Sequence, residues 1–139
     1  MSTELQDKET LVSIVNEMAK SFSGAQSTKH WAENALWFDI PPFASRGIEP
    51  ALKMFDSVFN NLKSCDATIL EIETFMSDDM GIVCSVQKLE VVFKNDTAKT
   101  LWVRQTDCFK KSNTGEWKLI HQHCSVPMGN EWDGKIVAE

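Results

Sequence analysis

Apolar positions recur at helical spacing in the first part of the chain and at strand spacing through its second half. Leu11, Val15, Met18 and Phe22 follow one another at steps of four, three and four, the repeat that lines one face of a helix. Thr3 and Gln6 precede them as a capping pair, and Gly24 closes the segment. A second, shorter helix is expected over about Thr28 to Ala35, carrying His30 and Trp31 and leading into the extended piece Leu36-Trp37-Phe38-Asp39-Ile40. Pro41 and Pro42 stop any regular element there, because neither can donate a backbone hydrogen bond. A third helix follows Arg46-Gly47, with Pro50 in its first turn and a buried stripe of Leu52, Phe55, Phe59 and Leu62.

Everything after Ser64 reads as strand. Turn signals at Ser77-Asp78-Asp79, Asn95-Asp96 and Asn113-Thr114-Gly115 divide it into four runs rich in Ile, Val, Thr, Phe and Trp. Turns this close together imply an antiparallel meander. Runs of about a dozen residues extend roughly 40 Å at ~3.3 Å per residue, so the sheet must twist and curl around the helices. The predicted class is α+β, a curled antiparallel sheet with helices on one face. Its concave side, lidded by an amphipathic helix, leaves room for a pocket.

Length and charge narrow the functional classes. At 139 residues, 42% of them hydrophobic, the chain fits one domain over residues 1–139. A net charge of -6, with 14 scattered basic residues, opposes binding to nucleic acid. The polar, acidic start lacks the pattern of a secretory signal, and no run approaches the ~18 apolar residues of a membrane span. The expected location is the cytoplasm, with no membrane partner. Cys65, Cys84, Cys108 and Cys124 show no CxxC spacing and sit singly in predicted strands, which suits reduced, buried thiols.

The candidate chemistry lies in a few polar residues among apolar ones. Asp107, in Val103-Arg104-Gln105-Thr106-Asp107-Cys108-Phe109, falls on a strand face with apolar and neutral neighbours, and a carboxylate so placed marks a site. If Ser112 pairs with Gly115 across the last turn, Asp107 lies opposite Ile120 and close to Gln122, whereas a slip of one residue carries it to the histidine side. Simple alternation along Trp117–Val126 puts Ile120, Gln122 and Cys124 on one side and Trp117, Leu119, His121 and His123 on the other. Asp39, between large apolar groups, is either a general base with a pKa raised by desolvation or a cap on the proline turn. His121-x-His123 reads first as part of a packed outer face, with metal ligation and catalysis as alternatives; no third metal ligand announces itself. Arg104 is expected to face outward toward a carboxylate, and Trp132 either to cover the pocket mouth or to sit in an ordinary chain end.

Three segments in order, Leu36–Pro42 with Ser45-Arg46-Gly47, Val103–Phe109 and Trp117–Pro127, resemble the nuclear transport factor 2-like superfamily in its SnoaL-like and ketosteroid isomerase-like branch. The last segment also resembles the closing strand of the association domain of calcium/calmodulin-dependent kinases. The resemblance implies a cone-shaped sheet around the first helix and a homodimer through its outer face, here Trp117, His121 and His123. In ketosteroid isomerases one aspartate shuttles the proton, and Asp39 matches its context. A second, protonated aspartic acid donates to the enolate oxygen, and Asp107 matches that one. The tyrosine those isomerases use as principal donor has no counterpart, since the chain contains no tyrosine. The expectation is therefore a small-molecule pocket with Asp39 and Asp107 as catalytic candidates and Gln122, Trp37, Gln105, Phe109, Cys124, Phe55 and Met18 as its lining. The ligand is expected to be small, apolar and carbonyl-bearing, with no metal and no cofactor. The alternative is a non-catalytic binding or dimerisation module of the same fold.

Overall fold

The computed structural model describes residues 3–40 and 44–136. Helix α1 (Glu4–Ala19) opens with a complete capping box: the Thr3 hydroxyl accepts from the Gln6 backbone N–H and the Gln6 side chain accepts from the Thr3 N–H. The helix ends earlier than the spacing of Phe22 implies. Phe22 lies beyond it, 41% exposed, against the Phe59 ring. A single turn, α2 (Gly24–Ser27), precedes strand β1 (Trp31–Phe38).

The helix expected over Thr28–Ala35 is thus absent. Trp31 and Ala35, four apart, look like a helical pair, but both are buried as strand residues together with Trp37. Parallel pairing with the last strand, irregular between Trp31 and Leu36, accounts for that segment instead. The stop assigned to Pro41 and Pro42 lies outside the described residues. The short β2 (Ser45–Arg46) pairs with β1, and α3 (Ile48–Phe59) carries Pro50 in its first turn, where a missing N–H costs no helical bond. Leu62, read as the end of its stripe, begins the next strand.

Strands β3 (Leu62–Ser77), β4 (Met80–Phe93), β5 (Ala98–Lys111) and β6 (Trp117–Ser125) form the predicted meander, and the six strands are ordered β2-β1-β6-β5-β4-β3. Leu11, Ile14 and Val15 of α1 meet Trp31, Trp37, Val83, Phe109 and Leu119 in the main core. Gly81 permits this approach, because a Cβ there would overlap the end of the Leu11 side chain. Asp7 ties α1 to the turn end of the β5–β6 hairpin. Its carboxylate, 8% exposed, accepts from Trp117 Nε1 at 3.2 Å and from Lys111 Nζ at 3.3 Å.

The β5–β6 hairpin departs from simple alternation twice. Ser112 pairs with Glu116 around a three-residue loop in which Gly115 takes a φ of +88°, the left-handed position that such a loop assigns to glycine. A bulge between Cys108 and Phe109 then shifts the pairing again, leaving Asp107 opposite Gln122 and Gln105 opposite Cys124. Two one-residue shifts restore the original face. Trp117 and Leu119, expected outside with His121 and His123, consequently lie in the core at 4% and 0% exposure. The expected outer dimer surface therefore loses Trp117.

Candidate functional site

The inner face of the sheet is graded along its strands. Near α1 it is mainly apolar. Next comes a polar band made by residues that the pairing sets side by side: Asp107 opposite Gln122, Gln105 between Ser85 and Cys124, and Gln87 two residues beyond Ser85. Past the band the wall turns apolar again, through Ala67, Leu89, Leu101 and Phe93, around a cavity of about 430 Å³ that α3 helps to enclose with Phe55 and Phe59.

Six of the expected site residues line that cavity: Asp39, Gln105, Gln122, Cys124, Phe55 and Met18. Three do not. Trp37 and Phe109, at 1% and 0% exposure, are packed in the core below the polar band. Their strand positions face inward as expected, but at the end of the sheet that α1 fills. Asp107 is 0% exposed and one layer behind the wall. The two carboxylates therefore do not meet across the lumen.

What holds Asp107 is explicit in its hydrogen bonds. Gln105 Nε2 donates to one carboxylate oxygen at 2.8 Å and Gln122 Nε2 to the other at 2.8 Å. The amide oxygens of the same two glutamines face the Cys124 thiol, at 3.4 Å from Gln105 and 3.8 Å from Gln122. Burial pushes the Asp107 carboxyl up to about 6, and the two amide donors pull it back in part. With an acceptor role at both oxygens, this group orients its neighbours and offers no donor to the cavity. The expectation of a protonated acid reaching a substrate oxygen is corrected accordingly.

Asp39 directly follows β1, half-buried on the cavity wall. One carboxylate oxygen accepts the Ile40 backbone N–H at 2.7 Å, a bond to the next residue rather than to the second residue on that a turn cap would use. Burial raises its pKa above the usual carboxylate range despite that bond. Asp39 lines the cavity, and the proline turn it was expected to cap lies outside the described residues. The Cys124 thiol is pushed well above its ordinary range by burial first and then by the Asp39 and Asp107 charges, so it serves as a neutral hydrogen-bonding group.

Gln87, Leu89 and Cys65 also line the cavity and were not singled out by sequence. Their inward parity on β3 and β4 was legible; what was missing was the knowledge that α1 stops short of that end. On the outer face, Phe38 packs edge-on against His121 and His123 at 4.9 and 5.4 Å between ring centroids, and His121 Nδ1 lies 2.8 Å from the Leu36 carbonyl. Among the described residues no group of three or more His, Cys, Asp or Glu is placed to hold a metal ion, and no helix is long and apolar enough to cross a membrane. Arg104 is exposed and donates to the Ser125 hydroxyl at 3.2 Å rather than pairing with a carboxylate. Trp132 is 84% exposed and covers no pocket.

The model of the SnoaL-like domain family matches residues 9–129. No curated protein sequence matches the chain. Among solved structures, an NTF2-like protein of unknown function from Pseudomonas putida KT2440 superposes with a TM-score of 0.81 at 12% identity, over 97% of this chain and 96% of that one. Hexachlorocyclohexane dehydrochlorinase LinA-type3 from Novosphingobium barchaimii LL02 gives 0.76 at 12% identity, over 87% and 86%. A candidate calcium/calmodulin-dependent protein kinase II association domain from Xanthomonas campestris gives 0.73 at 16% identity, over 93% and 91%. Identities this low establish a common cone-shaped α+β fold and leave the chemistry to the residues.

Proposed function

Because the chain belongs to the SnoaL-like domain family, we propose that its cavity binds a small, largely apolar carbonyl compound and that Asp39 removes a proton from the carbon beside the carbonyl. The observation that carries this reading is Asp39 itself, a carboxylate on the wall of an apolar cavity, with no ion-pair partner among the described residues. An ionised carboxylate left without a cation, its pKa raised by burial, is a base available to substrate. In the proposed step the C–H electron pair moves into the new C=C bond and the carbonyl π pair moves onto oxygen. Asp39 keeps the proton and returns it to the same carbon or to another one along the conjugated chain.

The developing oxyanion needs donors, and the wall offers the amides of Gln105 and Gln122. Each has a second Nε2–H beyond the one given to Asp107, and neither of those is taken by another described residue. Asp107 acts here as a positioning residue. By accepting from both glutamines it fixes their amide orientation before substrate arrives, so that no reorganisation is needed in the transition state. Loss of one such donor typically costs 10²–10³ in kcat. The dehydrochlorinase named among the structural relatives supports proton abstraction from carbon as chemistry that this fold can host.

The experiment is proton exchange without net turnover. Incubating small ketones with the protein in D2O and following the α-carbon protons by NMR should show catalysed exchange, faster than buffer, that falls by about 10²–10⁴ in Asp39→Asn. Exchange that persists in that variant removes Asp39 from the mechanism.

A second reading concerns the outer sheet face, where Phe75 and Ile82 are paired across β3 and β4 and are 53% and 39% exposed. The same pairing row runs through Cys108 to His121, which Phe38 covers beside His123 on the convex side. We propose that this surface joins two copies of the chain. Placing a charge there, as in His123→Glu, should yield monomers by analytical ultracentrifugation, and a dimer that survives the change rules this surface out.

A further inference from the structure

The cavity wall carries one carboxylate, Asp39, and several amides but no cationic side chain. Although the chain holds 14 Lys and Arg and three His residues, none of the described ones lines it. Asp39 uses one oxygen to accept from Ile40, and its other oxygen accepts from no described residue. The Gln105 and Gln122 amide oxygens share a single donor, the Cys124 S–H. One thiol proton serves one acceptor at a time, so an amide oxygen remains open as well. Asp107 stands behind, with both oxygens met by uncharged amides.

This arrangement is asymmetric toward the charge of a ligand. A carboxylate or phosphate entering the cavity finds no cation to receive it and is repelled by Asp39 at short range in a partly desolvated site. An ammonium group, with three N–H donors and no acceptor, finds a carboxylate with a spare oxygen and a nearby amide carbonyl. We infer that the cavity is a binding site for small apolar amines in their protonated form, the ammonium resting on Asp39 and the apolar body running along Leu89, Leu101 and Phe93, and that it excludes anionic ligands of the same size. The inference shares the cavity and the accessibility of Asp39 with the proton-abstraction reading but uses none of its chemistry. An amine seated on Asp39 occupies the base and inhibits that reaction competitively.

Three probes on nearly the same carbon frame test it: benzylacetone, the primary amine that replaces its C=O with CH–NH3+, and hydrocinnamate. Isothermal titration at about pH 8 should rank them amine, ketone, carboxylate, with the amine on the order of tenfold tighter than the ketone. Lowering the pH through the Asp39 titration should remove the amine's advantage as the carboxylate takes up a proton, since the probe itself stays charged; the raised carboxyl pKa places this loss at higher pH than for an ordinary carboxylate. Asp39→Asn should equalise amine and ketone across the same pH range while the ligand-free melting temperature stays near wild type. An amine preference that survives Asp39→Asn, a carboxylate that binds as well as the amine, or no heat from any of the three at millimolar concentration overturns the proposal. Amine binding that depends on Asp39 without any α-proton exchange would sink the catalytic reading alone.

Discussion

Replacing Asp107 by Asn should remove a pH dependence of stability that one buried group sets in the wild-type protein. In the folded chain its carboxyl titrates near 6 against an ordinary 3.8. At 1.36 kcal/mol per pKa unit, that difference corresponds to about 3 kcal/mol of stability. A raised carboxyl acts opposite to a salt-bridged one. Below about pH 4 folded and unfolded chains both hold the proton, and ionisation costs nothing. Between the two pKa values the unfolded chain has released its proton and the folded chain has not, so stability falls as pH rises; above 6 the loss is complete. Asn is nearly isosteric with the protonated acid and does not titrate. Its amide mismatches one of the two glutamine donors at every pH, at a cost of roughly 1–3 kcal/mol. That cost cancels when one asks how the stability difference between variant and wild type changes with pH. Urea unfolding of both proteins from about pH 4 to 7.5 should show the difference moving by about 3 kcal/mol in favour of Asp107→Asn. Parallel pH profiles for the two proteins would refute the reasoning, since they would mean that Asp107 ionises in the fold as easily as in water.

Asp7→Ala should destabilise by about 2 kcal/mol in chemical denaturation, because it leaves the buried Trp117 indole N–H and the Lys111 ammonium without their acceptor. Gly81→Ala should cost a comparable amount, on the order of 1–3 kcal/mol, as the added methyl displaces Leu11 from the core; a melting temperature unchanged from wild type would show that α1 can slide away freely. Thr3→Ala should remove about 1 kcal/mol through loss of the capping box, read as a shift in thermal midpoint. If Asp39 acts as a base, ketone proton exchange should rise with pH through its elevated pKa and fade below it, because only the ionised form accepts a proton.

Much of this architecture was legible because its local signals agree. The capping pair Thr3 and Gln6, the three turn clusters and the alternating runs between them each specify one structure on their own. The failures lie where local and long-range signals diverge. Trp31 and Ala35 carry helical spacing, yet pairing with β6 draws them into a strand, and nothing in the segment itself announces that partner. The inward placement of Gln105, Gln122 and Cys124 was legible by parity, although the path to it ran through a three-residue loop and a bulge that sequence does not date. Parity alone misassigned Trp117 and Leu119, which lie on the turn side of the bulge. It was also silent on depth along a strand. Asp107 and Phe109 face inward like Gln105, but only the position of α1 decides which inward residues are sealed in the core and which border the cavity.

The central claim is that Asp39 and the Gln105–Gln122 amides face one ligand from two sides, with Asp107 holding the amides from behind. A crystal structure with a bound phenol, whose oxygen imitates an enolate, tests it directly. The account places that oxygen about 3 Å from the Gln105 and Gln122 amide nitrogens with the ring edge toward Asp39. A phenol hydroxyl bound instead to Asp39, with the glutamines turned away or their Nε2 atoms no longer on Asp107, would contradict it.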